Sequence, residues 1–170
     1  MTTFQTPGPV NAFVDVGCGD INVTASDRVD SVVTIRARDV AKEADIQAAA
    51  SATVDIIGGV LTVKTVKAWK RLTGPNQKDG SVIVDLELPS SSSLAAHTGM
   101  GLVHCEGELS TTSVKTGLGD VRLDRVGSLT ARSGLGNVVV DTADDVTVST
   151  GSGFVRLGSV KGSATVKNSS

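Results

Sequence analysis

Residues 112–127 read TSVKTGLGDVRLDRVG, residues 129–145 read LTARSGLGNVVVDTADD, and residues 146–162 read VTVSTGSGFVRLGSVKG. These stretches are copies of one unit, and each contains the motif Gly-x-Gly. The first glycines of successive motifs are Gly99, Gly117, Gly134 and Gly151, which gives a repeat of about 17–18 residues. An internal repeat of this length indicates a solenoid in which each copy forms one coil.

Apolar and polar residues alternate within each unit, on both sides of the motif. A period of two predicts strands with one buried face, and the glycines supply the positive φ angles of a sharp turn. We therefore predict an all-β fold, a parallel β-solenoid or β-roll with two short strands per coil of about 17–18 residues. The predicted inward residues are Leu94/Ala96, Thr112/Val114, Leu129/Ala131, Val146/Val148 and Ala164/Val166 before the motif, Val103/Cys105, Val121/Leu123, Val138/Val140 and Val155/Leu157 after it, and Val126, Ala143 and Val160 at the opposite bend.

Residues 1–89 are predicted to form a β-rich part that continues into the repeat solenoid of residues 90–170. The Ala-rich segment 39–50 predicts one short helix with Asp39 as its candidate N-cap, and Gly58-Gly59 predicts a hairpin turn. We expect this part to cover the first edge of the solenoid, because natural sheets rarely leave a long edge bare. An isolated motif, Gly17-Cys18-Gly19-Asp20, stands outside the register of the later repeats.

The composition argues against several classes of protein. Sixteen basic and 18 acidic residues give a net charge of −2, so no global field favours nucleic acid. Two cysteines are too few for a disulfide-stapled scaffold, and the scarcity of aromatic residues weakens any site that stacks sugars or bases. The sequence shows no membrane span and no signal peptide, so we expect a cytoplasmic chain, with surface association as the other option.

Four stretches carry a family resemblance: VDVGCGDINVTAS at 14–26, VIVDLELP at 82–89, TGLGDVRLDRVG at 116–127 and TGSGFVRLGSVKG at 150–162. In them the chain resembles a bacterial family of putative adhesins, a domain of unknown function also called the Toastrack domain. The resemblance covers nearly the whole chain. It implies a β-solenoid or β-roll and supplies no catalytic residues. Members of the family continue through further repeats, whereas this chain reaches Ser170 in mid-coil, so we expect either a fragment or an early end.

One outward column of the predicted coils is mostly basic. It contains His97, Lys115, Arg132 and Lys167, with Ser149 between the last two, and we call these four residues the basic stripe. The functional interpretation is an anion-binding surface for phosphate, an acidic polysaccharide or an acidic protein. The competing interpretation is a solvated face whose charges keep the protein soluble and block aggregation.

A polar loop before residue 80 is the second candidate site. It surrounds the single tryptophan with cations and includes Lys67, Trp69, Lys70 and Arg71. An exposed Trp among cations suits a membrane interface or a partner contact. A core-capping indole with lysines that extend to solvent is the other interpretation.

No cofactor or metal is predicted. A calcium β-roll repeats its motif every nine residues, whereas here the residues after the motif read Leu102, Asp120, Asn137 and Phe154 once per coil. His97 and His104 lack a third metal ligand, and Cys18 and Cys105 read as free thiols without an activating neighbour.

These observations predict a non-catalytic β-solenoid scaffold, an adhesin-like binding or self-assembly module for an unknown protein or surface ligand. The open end of the solenoid would leave backbone groups unpaired, which favours self-association there. An envelope- or membrane-associated stress-sensing accessory protein is the alternative. A β-helix enzyme acting on polysaccharides is the third option, although such enzymes have longer coils and aromatic platforms.

Overall fold

The computed structural model describes residues 1–65 and 80–169. Strands with one short helix make up this part of the chain. In order they are β1 Thr2–Gln5, β2 Asn11–Ser26, β3 Asp30–Ala37, α1 Glu43–Ser51, β4 Thr53–Ile57, β5 Val60–Lys64, β6 Val82–Pro89, β7 Ser92–Met100, β8 Val103–Leu118, β9 Val121–Leu135, β10 Val138–Ser152, β11 Val155–Val160 and β12 Ala164–Asn168.

The strands form two walls that meet at the Gly-x-Gly turns. Wall A holds the segments that precede each turn, in the order β4, β5, β2, β7, β8, β9, β10 and β12. Wall B holds the segments that follow each turn, in the order β1, β3, β6, β2, β8, β9, β10 and β11. β2 pairs in parallel with β5 and with β6, and every later pairing along both walls is parallel as well. This confirms the predicted solenoid-like all-β fold.

The core consists of side chains that project inward from both walls. The predicted inward residues are buried from β7 through β10, and each lies beside its own copy in the next coil, as Val138 lies beside Val121. In the last described coil Val155 and Leu157 are partly buried, while Ala164 and Val166 are exposed. Exposure rises there because these residues have a neighbouring described coil on one side.

The two strands predicted for each coil join at the bend opposite the glycines. β8, β9 and β10 each run through this bend as one strand of 15 or 16 residues. A third inward side chain fills the bend in each, at Leu109, Val126 and Ala143, so the ladder continues around it. β8 carries a register shift between Cys105 and Glu108, where Gly107 has a φ of 87°. This bulge accounts for the one longer spacing of the repeat, between Gly99 and Gly117.

The isolated motif at Gly17-Cys18-Gly19 is a coil of the same stack. β2 pairs in parallel with β7 in wall A and with β8 in wall B, and Cys18 lies beside Met100. The sequence spacing of this motif differs from that of the later repeats, yet the motif takes its place in their stack. Residues 1–89 therefore supply a coil of the solenoid as well as the cover that was expected for its first edge. β5 and β6 continue the two walls on the other side of β2.

The remaining N-terminal elements lie at the first edge, as expected. β3 and β1 extend wall B with antiparallel pairings, and the Gly58-Gly59 hairpin adds β4 to wall A. The helix begins at Glu43, after Lys42, and Asp39 does not cap it: the Asp39 carboxylate accepts the Ala41 N–H at 3.0 Å. The predicted helix is thus confirmed with a later start, and its proposed cap is wrong.

Four consecutive serines at 90–93 precede the repeats, and one of them has a structural role. Ser92 is buried, and its hydroxyl donates to the Pro89 carbonyl at 2.7 Å and accepts the Val10 N–H at 3.1 Å. These bonds fix the chain where it passes from β6 to β7.

Within the described residues, no helix is long and apolar enough to cross a membrane.

Replacing Gly134 with Ala should lower the free energy of unfolding by about 1–3 kcal/mol, because the new Cβ would lie 2.6 Å from the Gly117 carbonyl oxygen. Gly17→Ala is the matched control, since Gly17 occupies the same column and a Cβ added there would have no described atom within 4 Å. Urea denaturation of both variants checks this. An equal loss in the two would contradict the close-approach argument.

Replacing Thr112 with Val should stabilise the protein by about 1 kcal/mol. Thr112 is buried, and its hydroxyl has no hydrogen-bond partner within the described chain, so Val removes an unpaired polar atom at nearly constant volume. Thr130→Val, at an exposed position, is the control and should change stability little. Destabilisation by Thr112→Val, measured by urea denaturation, would indicate a partner for the hydroxyl.

Candidate binding surface at the glycine edge

The stacked Gly-x-Gly turns form one edge of the solenoid, which we call the glycine edge. The second glycine of each motif has a positive φ, for example 142° at Gly119 and 149° at Gly136. A Cβ at either residue would lie 2.0 Å from the carbonyl oxygen of the matching glycine in the adjacent coil. Glycine is therefore required twice over, by backbone conformation and by contact.

A ladder of hydroxyl groups supports these turns from inside. The residue before each motif donates to the carbonyl of the second glycine in the adjacent coil, as Thr98 does to Gly19 at 2.9 Å and Thr150 to Gly136 at 3.2 Å. Thr116 and Ser133 make the corresponding bonds, and Asn168 continues the ladder through its amide, 2.8 Å from the Gly153 oxygen. This ladder has a signal in the sequence that was not used above, because a Ser or Thr stands before each repeated glycine pair.

The acidic residues beside the motif accept hydrogen bonds from backbone N–H groups. Asp20 accepts the Leu102 N–H at 2.9 Å, Asp120 accepts the Asn137 N–H at 2.8 Å, and the Asn137 side chain accepts the Phe154 N–H at 3.0 Å. The described residues contain no group of three or more His, Cys, Asp or Glu side chains that could hold a metal ion. His97 projects from wall A and His104 from wall B, so the chain does not bring the two histidines together.

Large apolar side chains project from the glycine edge into solvent. Met100, Leu118 and Leu135 lie in one column at the middle position of successive motifs. Leu102 and Phe154 lie beside it, two residues after the middle position in their own coils. These five residues form what we call the apolar crest, and they were not singled out from the sequence because each looks alone like a turn residue.

The structure places the whole basic stripe in one ladder of wall A. His97 lies beside Lys115, Lys115 beside Arg132, and Lys167 follows after Ser149. None of Lys115, Arg132 or Lys167 is within 4 Å of a described acidic group. Beside them runs a column of hydroxyl residues, Ser113, Thr130, Thr147 and Thr165.

The first residue of the stripe packs against an aromatic ring. The His97 and Phe13 ring centroids are 5.6 Å apart in an edge-to-face arrangement, and the Lys64 ammonium lies 5.5 Å from the Phe13 centroid. The outward residue below His97 in the ladder is Asp15. Lys64 follows Asp15 in the same ladder, so Asp15 lies between two basic residues.

Wall B carries a second column with two arginines on the other side of the crest. It contains His104, Arg122, Val139 and Arg156. The acidic residues Glu106, Asp124 and Asp141 lie two positions further from the glycine edge, and His104 is 3.7 Å from the Glu106 carboxylate. The crest thus has basic residues on both flanks, with the acids of wall B at greater distance.

The loop predicted around Trp69 lies outside the described residues, so Lys67, Trp69, Lys70 and Arg71 stay a prediction from the sequence.

The two cysteines differ in environment. Cys105 is buried in the inward column of wall B, and burial raises the pKa of its thiol to about 12. Cys18 is half-buried at the glycine edge.

No protein-family model and no curated protein matches this chain. Among solved structures, it is similar to a "putative cell adhesion protein" of Clostridium sporogenes, with 8% identity, a TM-score of 0.42 and 98% of each chain covered. A "putative adhesin" of Bacteroides fragilis has 14% identity and a TM-score of 0.29, over 98% of this chain and 95% of that one. A "putative lipid binding protein" of Parabacteroides distasonis has 13% identity and a TM-score of 0.43, over 90% of this chain and 71% of that one. The first two names are those of adhesion proteins, as is the name of the family that the sequence resembles.

Native protein at pH 8 should react with a thiol reagent at Cys18 and not at Cys105, because the Cys105 thiol is buried and its pKa is raised to about 12. Titration with a chromogenic disulfide should count one thiol before unfolding and two in denaturant. Cys18→Ser should abolish the native signal. A native signal that persists in Cys18→Ser would show that Cys105 is accessible.

Proposed function

We propose that this protein is a non-catalytic binding module that holds an anionic ligand on the wall of its solenoid. The observation that carries the proposal is the basic stripe, in which parallel stacking brings His97, Lys115, Arg132 and Lys167 into one column. Like charges stacked along a ladder repel one another, so this column destabilises the free protein. An anion bound along it would remove that repulsion.

The surroundings of the stripe support an anionic ligand. From β7 onward, the outward positions of wall A nearest the stripe carry hydroxyls or Ala95 and no acid. Hydroxyls can donate hydrogen bonds to phosphate, sulfate or carboxylate oxygens beside the cations. A surface designed for solubility alone would be better served by charges of both signs.

The absence of catalysis is part of the proposal. Three groups that could act in a hydrolytic site have structural partners: Asp20 and Asp120 accept backbone N–H groups, and the Ser92 hydroxyl donates to a backbone carbonyl. The raised pKa of Cys105 keeps its thiol protonated. These observations favour a scaffold over a β-helix enzyme.

Self-association is a second candidate function, favoured by one observation. β11 and β12 each pair with β10 and have no other described strand beside them, and Val166 on β12 is exposed. Such an edge can pair with a strand of another chain. Light scattering coupled to size-exclusion chromatography would test it, and a monomer at all concentrations would contradict it.

The double variant Lys115→Glu/Arg132→Glu should bind heparin, a sulfated polysaccharide, about tenfold more weakly than the wild type, because two cations of the stripe become repulsive. The control is Arg125→Glu/Lys161→Glu, which changes the net charge equally at exposed positions of the opposite bend. Titrations at several salt concentrations measure both. No loss in the first variant, or equal losses in the two, would overturn the proposal.

A further inference from the structure

The apolar crest exposes more hydrocarbon than the turn geometry requires. Met100 is 51% exposed, Leu118 44% and Leu135 55%, although their side chains play no part in the glycine contacts. Ser152 occupies the same column in the next coil, so a small polar residue fits this position as well. Leu102 is 47% exposed and Phe154 55%, and Met100, Leu118 and Leu135 are direct neighbours in one ladder, so three of the five crest residues adjoin one another.

The shape of the crest restricts what can cover it. The column rises by one residue per coil, about 4.8 Å at a time, along the line where the two walls meet. It is therefore a narrow convex ridge. A convex ridge buries little area against a rigid protein surface, but it can enter a fluid interface where acyl chains rearrange around each side chain.

The charges on either flank favour an anionic interface. Lys115 and Arg132 each precede a crest leucine by three residues, which places them about 10 Å away along an extended strand of wall A. Arg122, four residues after Leu118, occupies the corresponding position on wall B. An apolar ridge that penetrates by about 5–10 Å would bring both rows of cations to the depth of lipid phosphates.

The acids near the crest, Asp20 and Asp120, are outnumbered by the cations on its flanks. Asp20 is paired with Arg38, the nitrogen and oxygen being 2.5 Å apart, and it also accepts a backbone N–H. Asp120, the acid beside the crest, accepts the Asn137 N–H. The wall B acids Glu106, Asp124 and Asp141 lie further from the edge than the cations of that wall.

We propose that the glycine edge docks onto an anionic phospholipid bilayer, with the apolar crest in the interface and the flanking cations on lipid phosphates. This inference rests on the proposed function, because it names the anionic ligand as a membrane surface. It also gives the crest a role, because a bilayer would bury these apolar side chains whereas a soluble polyanion would leave them in water.

Vesicle co-sedimentation tests the docking. The wild type should bind vesicles made from three parts phosphatidylglycerol and seven parts phosphatidylcholine, and it should not bind pure phosphatidylcholine. Leu118→Ser/Leu135→Ser should reduce partitioning into the anionic vesicles about tenfold and leave heparin binding unchanged. Val40→Ser/Ile57→Ser, at exposed apolar positions away from the edge, should bind vesicles like the wild type.

The outcomes separate the two proposals. Heparin binding without vesicle binding would overturn docking on a bilayer and point to a soluble polyanion or an acidic protein. If the wild type binds neither heparin nor vesicles, the proposed function is overturned as well. Vesicle binding that is unaffected by Leu118→Ser/Leu135→Ser would overturn the role of the crest.

A second measurement reports insertion directly. In a Cys18→Ser background, an environment-sensitive fluorophore attached through Leu118→Cys should shift to shorter wavelength when anionic vesicles are added. The same label attached through Arg125→Cys, at the opposite bend, should not shift, and buried Cys105 should stay unlabelled. Equal shifts at both positions, or none at either, would contradict insertion of the glycine edge.

Discussion

The contact between each glycine turn and the turn of the adjacent coil is the constraint on which this structure depends. The second glycine of one motif comes so close to the carbonyl of its copy that a Cβ would lie 2.0 Å from the oxygen, as at Gly119 and Gly101. Such an approach is compatible with one register only, because a shift by one residue would place a side chain there. The hydroxyl ladder from Thr98 to Thr150 fixes the same register by hydrogen bonds.

Once the register is fixed, every other position of the repeat becomes a column. Inward columns bury valine, leucine and alanine against their own copies, and this supplies the apolar burial that a single coil lacks. In the outward columns, charged or apolar side chains of successive coils likewise lie side by side. The basic stripe and the apolar crest are therefore products of the stacking that stabilises the core, and neither needs a loop or an insertion to assemble it.

The sequence predicted what the period determines. The inward residues, the parallel pairing and the ladder of His97, Lys115, Arg132 and Lys167 follow from counting along the repeat. The place of β2 could not be predicted in this way, because Gly17 lies several coil lengths before Gly99 in the sequence and their proximity is a long-range contact. The crest could not be predicted from the alternation of polar and apolar residues, because this alternation describes the walls. Leu118 and Leu135 lie at the turn, where the alternation ends.

The near-zero net charge conceals a strong local asymmetry. Asp20 is paired with Arg38 and accepts a backbone N–H, and the wall B acids Glu106, Asp124 and Asp141 lie away from the edge, whereas the stripe cations have no described acidic partner within 4 Å. Each coil of the stack can add one apolar side chain to the crest and one cation to each flank. Affinity for an extended anionic surface should then grow with the number of coils that touch it, since contributions along one rigid edge share a single cost of immobilisation. A regular solenoid can in this way convert weak contacts, each near the thermal energy, into stable attachment without a pocket.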